Sequence, residues 1–206
     1  MTAKLCLLTL SAVLLASALQ AAPQLVAHPD PARTAPAAPA VASDKTASAE
    51  SADLLGATTR EKVEATPDWV QAEVDAKPDA AAAQALATVE PGAEVTVYLG
   101  SWCGDSRREV PRFWKALDAA GGSVPFAVRY VAVDHAKKEP ADLLKQDGVR
   151  YLPTIIVRRG GQEVGRIVET SPHGVEQDLL ALLTGKATGV LSTRQDLAPA
   201  AQHPQG

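Results

Sequence analysis

Between Glu94 and Asp134 the pattern of apolar residues changes period twice, and this double switch restricts the fold more than any other feature of the chain. Val95, Val97 and Leu99 alternate with Glu94, Thr96 and Tyr98, a two-residue period that predicts a buried strand over residues 94–100. Val110, Phe113, Trp114 and Leu117 then recur at i, i+3, i+4 and i+7, the apolar stripe of a helix that Gly121-Gly122 should end. Residues 126–134 return to strand character. Strand, helix and strand of these lengths imply parallel pairing through a right-handed crossover.

The flanking segments extend the same plan. Thr66-Pro67-Asp68-Trp69 combines a cap residue, a first-turn proline and an early acid, so a short helix should start there, and an Ala-rich helix should run from Asp79 to Thr88. Pro140 to about Gln146 reads as another short helix. Thr154–Arg158 and Glu163–Glu169 are β-rich runs around Gly160-Gly161, a hairpin signal, and Val175–Leu183 is an amphipathic helix. The expected fold class is α/β: a three-layer sandwich with a mixed central sheet, a β-α-β unit and a C-terminal β-hairpin plus helix.

The N-terminal part cannot belong to this core. Met1-Thr2-Ala3-Lys4 and an uncharged run of about 14 residues to Ala18 resemble a secretory signal peptide, and the run is shorter than the roughly 20 residues of a membrane-crossing helix. The expected signal peptide is 1–18, with cleavage as late as 22 through Ala21 or Ala22. Residues 21–52 hold 12 Ala, 5 Pro and 3 Ser with no aromatic, too little large apolar surface to offset ordering entropy. A disordered Ala/Pro-rich linker is thus expected over 19–58, a domain over 59–185 and a loose tail over 186–206. The implied location is exported, periplasmic or extracellular, with no membrane contact after signal cleavage.

Charge removes one class of function. Twenty Lys and Arg stand against 24 Asp and Glu, a formal charge of -4, so the basic field of a nucleic-acid binder is absent. Two cysteines and four histidines, scattered, offer neither a zinc cluster nor a disulfide framework. Cys6 would leave with the signal, so any thiol chemistry rests on Cys103.

Cys103 follows the first parallel strand immediately and begins a helix, the edge at which α/β sheets collect reactive groups. Unpaired N–H groups and the partial positive charge of a helix N-terminus favour a thiolate over a thiol. Arg107 and Arg108 add to that, and Asp105 opposes it. Ser106 is placed to donate its hydroxyl to the thiolate or to be simply a small first-turn residue. His135 follows the second parallel strand on the same edge, which makes a Cys–His couple conceivable, although an exposed loop histidine is the simpler reading. Arg158, Arg159 and Arg166 read as solvated strand faces.

Trp102-Cys103-x-x-Ser106 at a strand-to-helix turn, Pro111 eight residues after the cysteine, and Tyr151-Leu152-Pro153-Thr154 before the hairpin together resemble the thioredoxin superfamily, in particular secreted bacterial thioredoxin-like proteins. The resemblance covers about residues 94–183. It implies that Pro153 is cis and faces Cys103, and that Trp102, Gly104, Asp105, Leu152 and Pro153 form a groove for a substrate chain. Two departures are informative. Ser106 stands where the family has its resolving cysteine, and Val97 and Tyr130 stand where it has a buried acid and a nearby lysine. The resemblance therefore implies monothiol chemistry through Cys103 and Ser106, without cofactor or metal. Its partners would be protein or small-molecule thiols and disulfides, with an external thiol reductant for release. A non-catalytic binding module or holdase for extended polypeptides is the alternative.

Overall fold

The computed structural model describes residues 53–197; the expected signal peptide, most of the expected linker and the end of the tail lie outside the described residues. The first elements are strand β1 (Gly56–Thr58) and helices α1 (Arg60–Glu64), α2 (Pro67–Asp75) and α3 (Ala80–Ala85), the last continued by a 3-10 turn. They are followed by β2 (Ala93–Leu99), α4 (Gly104–Ala119), β3 (Phe126–Ala132), α5 (Ala141–Asp147), β4 (Thr154–Arg159), β5 (Gln162–Val168), α6 (Val175–Leu183) and β6 (Gly189–Leu191). The sheet order is β1-β3-β2-β4-β5-β6. β2 pairs in parallel with β3 and antiparallel with β4, and β4 and β5 form the hairpin. The expected α/β sandwich, thioredoxin-like in plan, is the fold of the chain.

The alternation along β2 explains the layers. Val95, Val97 and Leu99 join Ile155 and Val157 on one face, beneath Phe113 and Trp114 of α4 and Leu179 and Leu182 of α6. Tyr98, Val131, Val133 and Ile156 occupy the other face with Leu144 of α5. Trp69, Leu86, Phe113 and Trp114 are fully buried, and burial of each such side chain contributes on the order of 2 kcal/mol. Pro111 lies inside α4, where its missing N–H leaves the Arg107 carbonyl without a helical donor.

Two sequence boundaries move. The linker was expected to reach residue 58, yet residues 56–58 form β1, pairing antiparallel with β3 through Gly56↔Ala132 and Thr58↔Tyr130. The tail was expected to be loose from 186, yet residues 189–191 form β6 beside β5, and the Thr193 N–H donates to the Thr170 carbonyl at 3.1 Å. Three-residue strands carry no readable period, so their order comes from the edges they join. The arginines of the hairpin are also corrected. Arg158 pairs with buried Asp147 at 2.9 Å, and Arg159 donates to the carbonyls of Pro91 and Glu90 at 2.8 and 3.1 Å. Arg166 pairs with Glu163 at 2.6 Å; all three are half-buried instead of solvated.

One buried ion pair ties the helical layer together. Glu176 in the first turn of α6 is fully buried, accepts from Arg112 of α4 at 2.5 and 2.8 Å, and accepts the Asp79 N–H that precedes α3 at 2.8 Å. Arg112→Ala strands that carboxylate without its counter-charge. Because 34% of the Arg112 side chain meets solvent, the expected loss lies below the fully buried range, at roughly 2–4 kcal/mol. Urea unfolding measures it as a lower midpoint with unchanged slope.

Candidate functional site

β2, β3 and β5 end at the same edge of the sheet, and β4 begins there. That edge carries Cys103. The chain leaves β2 at Leu99, turns through Gly100, Ser101 and Trp102, and enters α4 with Cys103 as its N-cap. The Cys103 N–H donates to the Gly100 carbonyl at 3.0 Å, closing the turn. No side chain at this cap bonds the first helical N–H groups. The helix N-terminus therefore presents unpaired donors beside the sulfur.

The turn is tight for a stated reason. A Cβ on Gly100 would lie 2.8 Å from Trp102 Cε2 and 3.1 Å from Cys103 Cβ, so only glycine fits under the folded-back indole. Below it, Ser106 is fully buried and its Oγ accepts the Gly100 N–H at 3.2 Å. Among the described residues no hydrogen bond joins Ser106 to Cys103; the hydroxyl oxygen holds the turn. Trp69 Nε1 donates to the Ser101 carbonyl at 2.8 Å and fixes α2 against the same loop.

Cys103 is half-buried, and its Sγ donates to the Leu152 carbonyl at 3.6 Å. Leu152 and Pro153 are buried and joined by a cis peptide bond, as the resemblance implied. The Pro153 carbonyl accepts the Glu169 N–H at 2.8 Å, which anchors this loop to the end of β5. Gly104 is exposed, and Asp105 pairs with Arg108 at 2.8 Å. The structure thus gathers Trp102, Cys103, Gly104, Leu152 and Pro153 at one rim, with Asp105 on the first turn and Ser106 beneath.

The charges near the thiol are differently arranged from the sequence expectation. Arg107 pairs with Asp68 of α2, and Arg108 also donates to Thr170 Oγ1 at 2.6 Å and to Glu109. Both guanidinium groups are engaged with partners other than the sulfur. His135 stacks on Trp102 with ring centroids 4.2 Å apart and planes 19° apart, and its Nε2 lies 3.4 Å from Asp53. Trp102 Nε1 donates to the Val133 carbonyl at 3.0 Å. His135 therefore supports the indole, and the Cys–His couple does not form. Val97 and Tyr130 face each other in register, so no carboxylate and lysine stand beneath the thiol there. Burial pushes the Tyr130 phenol up to about 12.

Sequence reasoning missed His135 as a support for Trp102, together with Asp53, Gly100 and Thr170. Gly100 alone left a signal, as a glycine directly ahead of a bulky aromatic. Chemically, the rim holds one partly accessible sulfur facing a backbone carbonyl, bounded by an indole and the Leu152-Pro153 loop. Such an arrangement admits a sulfur approaching from solvent, and among the described residues no second thiol stands beside it.

The fold that carries this site is of the thioredoxin-like class. No protein-family model matches the chain. Over 96 residues it is 30% identical to a curated protein, Thioredoxin H2-1 of Oryza sativa subsp. japonica, covering 47% of this chain and 64% of that one. The chain thus spans less than two thirds of the length of this relative. Among solved structures it is similar to a Pseudomonas aeruginosa protein of unknown function at 16% identity and TM-score 0.44, over 62% of this chain and 85% of that one. A Malassezia sympodialis thioredoxin is 23% identical with TM-score 0.36, over 47% and 81%. The sequence similarity supports a relation to the thioredoxin superfamily.

Two substitutions probe this geometry. Gly100→Ala should force Trp102 outward, break its stack on His135 and cost roughly 1–3 kcal/mol by overpacking. Gly104→Ala, whose Cβ would meet nothing within 4 Å, should leave the indole in place. Tryptophan fluorescence and urea unfolding read both. Glu109, buried on α4, has its carboxyl pushed up by burial, partly offset by Arg108. The folded state holds that proton more tightly than the unfolded chain, so the stability it confers is lost as pH rises through the raised value. Glu109→Gln should gain relative to wild type between mildly acidic and neutral pH, and a pH series of denaturation midpoints tests the sign.

Proposed function

We propose that this chain is an exported thioredoxin-like thiol–disulfide oxidoreductase that works through one nucleophile, Cys103. The observation that carries the reading is the sulfur at the N-cap of α4, partly accessible and 3.6 Å from the Leu152 carbonyl, with a buried serine one turn on. The thiolate attacks a partner disulfide, forming a mixed disulfide and releasing one thiolate. A second thiolate from solution then attacks the mixed disulfide, releases the bound sulfur as a new disulfide and returns Cys103 as thiolate. Cys103 is neither oxidised nor reduced over the cycle. Export is supported by the charged start and short apolar run at residues 1–18; among the described residues no helix is long and apolar enough to cross a membrane. Trp102, Gly104, Asp105, Leu152 and Pro153 are the proposed groove.

A binding module without turnover is the second reading, favoured by one detail. The Leu152 carbonyl accepts from the Cys103 thiol at 3.6 Å, so the sulfur is already engaged with the loop that bounds the groove.

Ser106→Cys separates the two. Ser106 is buried directly inside Cys103, so a thiol there is within the same turn and can take over the mixed disulfide. Wild type should accumulate a mixed disulfide with a disulfide probe, and Ser106→Cys should raise reductase turnover with a dithiol donor by about tenfold or more. Wild-type turnover equal to that of Ser106→Cys would show that release comes from elsewhere. Activity no different from Cys103→Ser in both proteins would leave the binding module.

A further inference from the structure

A second surface adjoins the cysteine rim. Lys137 and Lys138 in the β3–α5 loop, Lys145 on α5 and Arg150 in the α5–β4 loop surround an open hollow of about 660 Å³ with Leu144 and Val149 at its floor. All four basic side chains are exposed, and among the described residues none is in an ion pair. What sets the hollow apart is clustering: four cations line it and no carboxylate does, whereas Arg60, Arg107, Arg112 and Arg158 are each paired with an acid.

The lining of the hollow contains no carboxylate, and two acids of the adjoining loop bond its own backbone. Asp134 accepts the backbone N–H groups of Lys138, Glu139 and Ala136 at 2.7, 2.8 and 3.2 Å, and these bonds, that of Glu139 first, hold its carboxyl below the usual range. Glu139 accepts the Ala141 N–H at 3.0 Å. Asp142 is exposed on the first turn of α5, and Asp147 at its end is buried and paired with Arg158. Lys137 is held with φ 55°, a left-handed conformation uncommon for lysine, within the turn that Asp134 organises. The floor residues Leu144 and Val149 belong to the same apolar cluster as Leu152, against which Trp102 and Cys103 pack. The hollow and the thiol are thus linked through one buried apolar cluster.

We propose that this hollow docks an acidic, extended polypeptide segment. The four cations supply charge complementarity, the open shape admits a chain crossing the surface, and the apolar floor accepts an aliphatic side chain between the acids. Resting on the function proposed above, the same docking makes Cys103 select partner cysteines flanked by acidic residues.

The test separates docking from thiol chemistry. Fluorescent cysteine-free octapeptides, one Glu-rich, one Ser/Gly-rich and one Lys-rich, are titrated into full-length Cys103→Ser protein, with anisotropy read at low and high salt. The Glu-rich peptide should bind about tenfold or more tighter than the Lys-rich one, and the preference should collapse at high salt. Lys137→Glu with Lys138→Glu should abolish it, and Arg150→Glu should reduce it, whereas Lys62→Glu on α1 should not. Equal affinity for the three peptides, or acidic binding unaffected by the reversals, overturns the proposal. Vesicles of phosphatidylcholine with phosphatidylglycerol form a further arm: capture of vesicles without peptide preference replaces the acidic chain by a membrane surface and also overturns it. Selectivity for the flanking acids is then read as the ratio of exchange rates of wild-type Cys103 with acidic and basic peptide disulfides, relative to a small uncharged disulfide. Reaction with the uncharged disulfide but no charge preference defeats selective docking alone, and no reaction with any disulfide defeats the oxidoreductase reading while the binding result stands.

Discussion

The central strand β2 sets the rest of the molecule. It pairs on both sides, with β3 and β4, and its side chains from Val95 to Leu99 are buried on both faces of the sheet. A strand so enclosed cannot slip by one residue without exchanging Val97 for Tyr98 between two cores of different composition. Its end is therefore fixed, and with it the position of Gly100. The turn that follows must reverse within three residues, and it does so because Gly100 leaves room for the Trp102 indole and Ser106 accepts the Gly100 N–H. The place of Cys103 is inherited from that strand.

The same dependence explains what the sequence revealed and what it concealed. Period-two and period-3.6 runs are long in β2, α4, β3 and α6, so these elements could be read directly. β1 and β6 are three residues each and exist because the β3 and β5 edges offer unpaired backbone groups. One trace of β6 was present. Gly165 interrupts β5, and a Cβ there would lie 2.5 Å from the Gly189 carbonyl, so the glycine marks the close approach of another backbone. Trp102 and Cys103 were legible as candidates because their motif is local, whereas Leu152 and Pro153, 49 residues further on, were placed beside them only by the resemblance. His135 was not legible, since its support of Trp102 depends on which face the β3–α5 loop turns towards. Ser106 was legible as a position, but its hydrogen bond to Gly100 requires knowing that the turn folds back over it.

Charge is distributed by function as well as by burial. Glu176, Asp147 and Asp178 are buried: Glu176 binds Arg112, Asp147 binds Arg158 and the Tyr98 hydroxyl, each across elements, and Asp178 binds Ser171 and His173 in the loop before its own helix. Removing water from a carboxylate is costly, and these contacts offset the cost while specifying one arrangement. The Tyr98 phenol is pushed above its ordinary range by burial and by donating to Asp147, so it remains a donor under all ordinary conditions. No such partner is built for the sulfur of Cys103. Its only recorded hydrogen-bond contact among the described residues is a weak one to a backbone carbonyl.

This asymmetry has a chemical meaning. A resolving thiol and its proton acceptor let a disulfide leave without outside help, and both need a polar pocket beneath the active-site helix. Here that space holds Ser106, committed to the backbone, and the apolar pair Val97 and Tyr130 beside Trp114. An acid introduced at Val97 would be desolvated without a counter-charge, which costs several kcal/mol. Restoring a thiol at position 106 is thus a small change, whereas restoring the proton relay is not. Under the proposed function, such a floor would retain a bound sulfur instead of releasing it rapidly. Partner selection, on the proposed function, would then fall to surfaces outside the turn, among them the cationic hollow whose Leu144 and Val149 share a buried cluster with Leu152.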